Sequence, residues 1–92
     1  MDDRFDWDAA NVSHVRRHGI EPFEAEQALL DPNRLGRPAY RVGAEQRRAY
    51  IGSTAAGRVL AVIVTRRQGR LRVISAFPAR LAEQRRYRRR GK

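Results

Sequence analysis

The chain has 92 residues, no cysteine and a formal net charge of +10 at pH 7. This length predicts a single domain over residues 1–92, and the lack of cysteine excludes a disulfide framework and thiolate catalysis. No segment has the length and apolarity of a membrane span, and the acidic N-terminus differs from a signal peptide. We therefore expect a cytoplasmic protein that does not contact membranes.

The charge is distributed unevenly along the chain. Residues 1–32 contain eight acidic side chains against three arginines, whereas Glu45 and Glu83 are the only acids in residues 33–92. Nineteen of the twenty basic residues are arginine, whose planar guanidinium suits phosphate contacts and stacking on bases. The asymmetry favours a nucleic-acid partner. The alternative is that GC-rich coding favours arginine and that part of this charge is only a solvated face.

Two short helices are predicted in the first third of the chain. Residues 5–7 form an apolar lead-in or an edge strand, and Asp8 is placed to cap a helix over residues 9–18 that Gly19 ends. Pro22 occupies the first position of a second helix, where its missing amide hydrogen costs nothing. This second helix ends near residue 30, because Asp31 precedes a proline and avoids the helical region.

The middle of the chain predicts a meander of about four antiparallel strands. Strands over residues 38–42 and 46–52 flank a Gly43-Ala44 turn, and the apolar run 59–64 indicates a central strand covered on both faces. Gln68-Gly69 predicts a tight hairpin turn. In the strand that follows, alternation places four residues on one face: Leu71, Val73, Ser75 and Phe77.

From residue 79 the sequence predicts a basic helix with few packing residues. Residues 87–92 are a candidate for a disordered basic tail, and a charge run of this kind is also typical of a solvated surface. The predicted fold is therefore α+β, with two N-terminal helices, a sheet of about four antiparallel strands and a C-terminal basic helix.

Asn11, His14 and His18 share one stripe of the first helix. The spacing of the two histidines suits zinc, but no H-E-x-x-H pattern and no obvious third ligand accompany them, so we predict no metal and no other cofactor. Two alternatives stay open. The imidazoles act as acid–base groups, or His18 stabilises the carboxyl end of its helix as a cation.

Several short motifs along nearly the whole chain resemble the BrnT family, the toxin half of type II toxin–antitoxin pairs with BrnA-type antitoxins. Their order and spacing together carry the resemblance. The motifs are F-D-W-D at residues 5–8, R-H-G-I at 17–20, F-E-A at 23–25, D-P at 31–32, E-Q-R-R-A-Y-I-G at 45–52, G-R-V-L-A-V-I-V-T-R at 57–66, R-V-I-S-A at 72–76 and E-Q-R-R-Y at 83–87.

The resemblance implies a fold like that of RelE and barnase-type ribonucleases, with helices on one face of a twisted antiparallel sheet. It also implies a metal-independent endoribonuclease that cleaves RNA to inhibit translation and is held inactive by a cognate BrnA-like antitoxin. The domain alone would be a monomer, or it would form a hetero-oligomer with that antitoxin.

Cleavage of RNA by its own 2′-hydroxyl requires a base, an acid at the leaving 5′-oxygen and positive charge at the phosphate. We assign Glu45 or His18 as the base, His18 as the acid, and Arg47 with Arg80 as the phosphate contacts. Tyr87 is a further catalytic candidate, because relatives of this fold use Arg, Lys and Tyr alone. The alternative for Glu45 and Arg47 is a surface cross-strand pair. The predicted RNA-binding residues are His14, Arg66, Arg67, Arg70, Arg72, Arg85, Arg86, Arg88 and Arg89.

Two departures from the family pattern keep other functions open. The family typically has arginine after the S-A pair, where this chain has Phe77, and its usual lysine is missing from the first helix. Arg80 is a candidate to replace the lost charge. The alternative function is a catalytically degenerate module that binds RNA or only its antitoxin. A basic module that binds DNA is the third possibility, but the chain has no recognition-helix signature.

Overall fold

The computed structural model describes residues 3–90, which form an α+β fold of three helices and one five-stranded mixed sheet. Among these residues, no helix is long and apolar enough to cross a membrane. The elements in chain order are β1 (Phe5–Asp6), α1 (Ala9–Arg17), α2 (Pro22–Leu30), β2 (Leu35–Val42), β3 (Glu45–Ser53), β4 (Val59–Arg67), β5 (Arg70–Pro78) and α3 (Leu81–Arg90).

The strands lie in the order β1-β5-β4-β3-β2. Strands β2 to β5 form the predicted antiparallel meander, and β4 is the central strand of the sheet. The predicted count of about four antiparallel strands misses β1, which pairs parallel to β5 through Phe5 and Asp6. A two-residue strand shows no periodicity, and its partner lies far away in sequence, so only the edge-strand alternative for residues 5–7 anticipated it. The likeness to RelE stays a prediction.

The ends of the helices follow from local chemistry, as predicted. The Asp8 carboxylate accepts the amides of Ala10 and Asn11 at 3.0 and 3.1 Å, while the Asn11 side chain accepts the Asp8 amide at 2.8 Å. This reciprocal cap starts α1, and Gly19, at φ 75°, follows its end. Pro22 opens α2. At the other end of the chain α3 continues through residue 90, and residues 91–92 of the predicted tail lie outside the described residues.

Helices α1 and α2 pack on one face of the sheet, here called the helix face. Gly52 lets α2 approach β3 closely, since a Cβ atom built at Gly52 would lie 2.2 Å from the carbonyl oxygen of Ala28. The apolar core between these layers consists of Phe5, Val15, Ile20, Ala25, Ala28, Leu29, Leu60, Val62, Val64, Val73 and Ala76.

The other face of the sheet, here called the open face, is covered at one end only. There Ile51, Val59, Ala61 and Ala79 form a second, smaller cluster. Leu35, Phe77 and Tyr87 pack against this cluster, so α3 docks through few apolar contacts, as predicted. The opposite end of the open face, near the β4–β5 turn, carries polar side chains instead.

A β-bulge in β5 overturns the strict alternation predicted for that strand. Val73 pairs with Val64 and Ser75 pairs with Ile63, which leaves Ile74 without a partner on β4. The extra residue shifts the pleat by one position. Val73 therefore lies in the core of the helix face, whereas Phe77 belongs to the cluster on the open face. The placement of Leu71, Val73, Ser75 and Phe77 on one face is wrong. Hydrophobic alternation cannot reveal such an insertion.

The β4–β5 turn has the backbone geometry predicted for it. Gln68 and Gly69 have φ angles of 52° and 77°, the pair of positive values that a tight two-residue hairpin turn requires. The arginines of β4 and β5 are thereby brought side by side at this end of the sheet, with Arg67 opposite Arg70.

Candidate active-site cleft

Three arginines and one histidine line a cleft of about 330 Å³ at the turn end of the open face. Sheet register explains the convergence. Arg47 pairs with Thr65, and Thr65 pairs with Arg72, so these three residues form one row across β3, β4 and β5. Arg67 lies two residues beyond Thr65 and so points to the same face. Helix α1 contributes the remaining polar wall. The complete lining is Ala10, Asn11, His14, Arg47, Arg67, Arg72, Val73 and Ile74.

Arg47 is held in position by two partners. Its Nε donates to Glu45 Oε2 at 3.0 Å, and one Nη donates to the Tyr40 hydroxyl at 3.2 Å. The guanidinium carbon also lies 5.4 Å from the centre of the Tyr40 ring. The hydrogen bond with Tyr40, and then the one with Glu45, raises the pKa of Arg47 although partial burial opposes the shift. Arg47 is thus a fixed cation in the cleft wall.

Arg72 is fixed by two aspartates of the N-terminal segment. Its guanidinium lies 2.9 Å from Asp8 and 3.6 Å from Asp6, and only 12% of its side chain is exposed. The hydrogen bond to Asp8 raises the pKa of Arg72, with burial acting against it. The same hydrogen bond lowers the pKa of Asp8. Asp6 also lies 3.7 Å from Arg70, so the acidic N-terminus orients the basic end of β5.

Asn11 fixes α1 against β5. It is buried, and its side-chain amide donates to the carbonyl oxygens of Asp6 and Val73 at 2.9 and 3.0 Å. These bonds set the position of α1 beside the cleft and hence of His14, one turn further along the helix.

The two histidines of α1 lie in contact with each other. Their ring centres are 5.4 Å apart, and the His18 ring lies edge-on to Phe77 at 6.2 Å. His14 lines the cleft. His18 lies one helical turn away, next to Phe77 and the apolar cluster under α3. Within residues 3–90, no three His, Cys, Asp or Glu side chains are arranged to hold a metal ion.

A family model described as the ribonuclease toxin BrnT of type II toxin–antitoxin systems matches residues 7–83. The chain belongs to the BrnT family. The matched range includes all the residues that line the cleft, and it ends within the first turn of α3. Comparison with curated proteins gives no match.

The structure brings some of the predicted catalytic residues together and separates others. Glu45 and Arg47 form an ion pair beside the cleft, and His18 lies near it on α1. Arg80 precedes α3, is exposed, and donates its backbone amide to Glu83 at 2.9 Å. Neither Arg80 nor Tyr87 lines the cleft.

The Tyr87 hydroxyl instead donates to the carboxylate of Asp31, which also accepts the backbone amide of Ser53 at 2.8 Å. Burial and this hydrogen bond raise the pKa of Tyr87. Burial opposes the charged form of Asp31, but its hydrogen bonds with Tyr87 and two backbone amides lower its pKa overall. This contact fastens α3 to the end of α2.

The predicted RNA-binding residues fall into three groups. His14, Arg67 and Arg72 line the cleft, and Arg70 lies next to them opposite Arg67. Arg66 points to the helix face, away from the cleft. The helical arginines Arg85, Arg86, Arg88 and Arg89 are exposed on α3.

Sequence reasoning missed Tyr40 and the anchoring role of Asn11. A register shift between Pro38 and Arg41 precedes the contact of Tyr40 with Arg47, and no local pattern reveals it. Asn11 did leave a signal, since its spacing from Asp8 is that of a reciprocal helix cap.

Proposed function

We propose that this BrnT-family chain is a metal-independent endoribonuclease. It binds the scissile phosphate of RNA in the cleft, and cleavage of that RNA inhibits translation. The observation that carries the proposal is the convergence of three guanidinium groups and one imidazole in a single cleft. Two of these guanidiniums are held by carboxylates. Cations fixed before the substrate arrives stabilise developing negative charge most effectively.

The arginines suit a phosphate that becomes pentavalent. Arg47 and Arg72 flank Thr65 on neighbouring strands, so their backbones are separated by two strand spacings, about 10 Å. Guanidinium groups that reach inward from both sides would contact the non-bridging phosphate oxygens. Arg67, further toward the turn, is placed to bind the next phosphate of the strand.

Proton transfer falls to the histidines in this proposal. The 2′-oxygen attacks phosphorus, its proton passes to a base, and the departing 5′-oxygen receives a proton from an acid. The products are a 2′,3′-cyclic phosphate and a 5′-hydroxyl, and no metal is required. His14 lines the cleft and is the first candidate for proton transfer. The ring of His18 is in contact with the ring of His14. Glu45 accepts a hydrogen bond from Arg47, which assigns it to orienting that cation.

The test is incubation of the purified protein with RNA in the presence of a chelator. The wild-type chain should cleave, and a His14→Ala, Arg47→Ala double variant should not, while circular dichroism shows both folded. Arg17→Ala is the matched control, because Arg17 is exposed on α1 away from the cleft. Cleavage by the folded double variant at the wild-type rate would overturn the assignment of the cleft.

Translation and growth provide the cellular test. Expression of the wild-type chain should stop protein synthesis in the cytoplasm, and the double variant should not. Co-expression of a cognate BrnA-like antitoxin should restore growth and yield a stable complex with the chain. We propose that an acidic segment of the antitoxin covers the open face, where compensating charge is needed.

Phe77 favours a second candidate function, a module that binds RNA or its antitoxin without cutting. The BrnT resemblance places an arginine at this position, but here Phe77 packs against the apolar cluster under α3 and against the His18 ring. If the wild-type chain retains RNA and leaves it intact, this second function replaces the first. Phe77→Arg would then be the first change to test for restored cleavage.

A further inference from the structure

Two Arg-Arg pairs make both faces of the sheet basic at the same end. Consecutive residues in a strand point to opposite faces. Arg47 and Arg67 therefore lie in the cleft, and their neighbours Arg48 and Arg66 lie on the helix face. There α1 and α2 leave a groove of about 190 Å³ uncovered. The lining of this groove, here called the Tyr50 groove, is Gln46, Arg48, Tyr50, Val64, Thr65, Arg66 and Leu71.

The ring of Tyr50 is held beside two guanidinium groups. The guanidinium carbons of Arg34 and Arg48 each lie 5.7 Å from the ring centre, and Arg48 Nε donates to the Tyr50 hydroxyl at 3.3 Å. The ring lies against Gly36 of β2, where a Cβ atom would approach a ring carbon to 2.7 Å. A glycine at position 36 is therefore required for this placement of the ring.

The Arg34 guanidinium interacts electrostatically with Asp31 and contributes to the lowered pKa of that carboxyl. Arg48 and Arg66, which line the Tyr50 groove, form no ion pair with any carboxylate of residues 3–90. The wall between these cations is apolar, since Val64 and Leu71 belong to the hydrophobic core or pack against it. Planar cations, an aromatic ring and an apolar wall are the groups that bind an unpaired base and its flanking phosphates.

We propose that the Tyr50 groove is a second RNA-binding site, which takes one unpaired base and places the adjoining phosphates on Arg48 and Arg66. The inference rests on the proposed function, because it assigns a further part of the same substrate strand to the opposite face. A single-stranded RNA that reaches both sites passes around the end of the sheet. An acidic peptide fits less well, since its carboxylates would leave the apolar wall and the ring without partners.

The first test measures affinity for a 2′-O-methyl RNA oligonucleotide, which cannot be cleaved through its 2′-oxygen. By fluorescence anisotropy, an Arg48→Ala, Arg66→Ala variant should bind a twelve-nucleotide probe at least about tenfold more weakly than wild type. The slope of log affinity against log salt should fall by about two. Arg17→Ala is the control and should lower affinity much less. Equal affinity of the double variant and wild type would overturn the proposal.

A second pair of variants tests stacking separately from charge. Tyr50→Phe keeps the ring and should bind the probe within about twofold of wild type, whereas Tyr50→Leu keeps an apolar side chain without a ring and should bind about tenfold more weakly. Equal binding by these two folded variants would contradict a stacked base.

The outcomes also separate this inference from the proposed function. The Arg48→Ala, Arg66→Ala variant should lose much less cleavage of a dinucleotide substrate than affinity for the twelve-nucleotide probe, since neither residue lines the cleft. If RNA affinity depends on the groove residues but the wild-type chain cleaves no RNA, only the proposed nuclease function is overturned. If the chain cleaves RNA but its affinity does not depend on the groove residues, only the second RNA-binding site is overturned. If the Arg48→Ala, Arg66→Ala variant lost binding to poly-glutamate and kept its affinity for RNA, the groove would be a protein contact and the inference would be refuted.

Discussion

The cleft and the Tyr50 groove carry arginine at the same end of one sheet, but they hold it in different ways. In the cleft, Arg47 is hydrogen-bonded to Glu45, and Arg72 is held by Asp8. In the groove, Arg48 lies beside the Tyr50 ring, and no carboxylate within the described residues pairs with it. A single step along β3 separates the two environments.

The difference matches two different tasks. A guanidinium oriented by a carboxylate has its geometry set before substrate arrives, which favours stabilisation of a transition state. A guanidinium without a carboxylate partner leaves its charge uncompensated and available to a phosphate, which favours binding. We therefore expect changes in the cleft to affect cleavage and changes in the groove to affect affinity.

The largest effect is expected from His14, which lines the cleft and is the first candidate for proton transfer in the proposed function. His14→Ala should lower the cleavage rate by roughly 10²- to 10⁴-fold and change affinity for uncleavable RNA by less than about threefold. His18→Ala makes the same change one helical turn away and should lower the cleavage rate by a smaller factor. Single-turnover cleavage of a labelled RNA measures both. If His18→Ala were the more damaging change, the reaction centre would extend toward Phe77, in agreement with the assignment made from sequence.

Arg47→Lys and Arg48→Lys make the same substitution on neighbouring residues of opposite faces. Lysine keeps the charge but loses the planar group that bonds both Glu45 and Tyr40. We expect Arg47→Lys to slow cleavage roughly 100-fold with little change in affinity. Arg48→Lys should leave dinucleotide cleavage unchanged and weaken the longer probe about threefold. Equal effects of the two variants on cleavage would remove the distinction between the faces.

Asp8→Asn tests whether carboxylates prepare the cleft. Asparagine caps helices as well as aspartate does, so α1 should be retained while the ion pair with Arg72 is lost. We expect cleavage to fall up to about tenfold and the helical circular dichroism signal to stay unchanged. The pKa of Asp8 is lowered from 3.8 by Arg72, so its charge is retained at neutral pH and is lost only in acid below that value. Unchanged cleavage in a folded Asp8→Asn variant would show that Arg72 needs no anchor besides Asp6.

Local patterns predicted the secondary structure of the fold because each element carries its own signal. The cap at Asp8, the proline at position 22 and the turn at Gln68-Gly69 each act through neighbouring residues, and each was found where predicted. The parallel pairing of β1 with β5 and the bulge at Ile74 escaped prediction, since both depend on pairing between distant segments.

The site shows the same division between local and distant information. The ion pair of Glu45 with Arg47 follows from their spacing on one strand face. Tyr40, Asp6 and Asp8 reach the arginines of the cleft only through register and the parallel pairing of β1. Tyr87 shows the converse, because a tyrosine within a basic helix resembles a catalytic group in sequence, whereas the structure bonds it to Asp31. The composition indicated that this chain has a basic surface for a partner, but it did not indicate which arginines share a face of the sheet.

Tyr87→Phe should alter neither the cleft nor the Tyr50 groove, and it should affect only the stability of the fold. It removes one hydrogen bond to Asp31, which still accepts the amides of Ser53 and Asn33. We expect unfolding to become easier by about 1 kcal/mol, a fall in the melting temperature of roughly 4–8 °C. Dinucleotide cleavage and probe affinity should match wild type. Loss of cleavage in the folded variant would return Tyr87 to the reaction.

The pH dependence of that stability difference identifies its source. The pKa of Asp31 is lowered from 3.8, so its contribution is present above that pH and is lost as pH falls through the lowered value. The pKa of Tyr87 is raised from 10.0, so its contribution is lost as pH rises through the raised value. Wild type and Tyr87→Phe should therefore differ most between about pH 4 and pH 10 and converge on either side. Because the substitution keeps the ring, a difference independent of pH would assign the effect to the space that the hydroxyl group fills, with no part for the hydrogen bond.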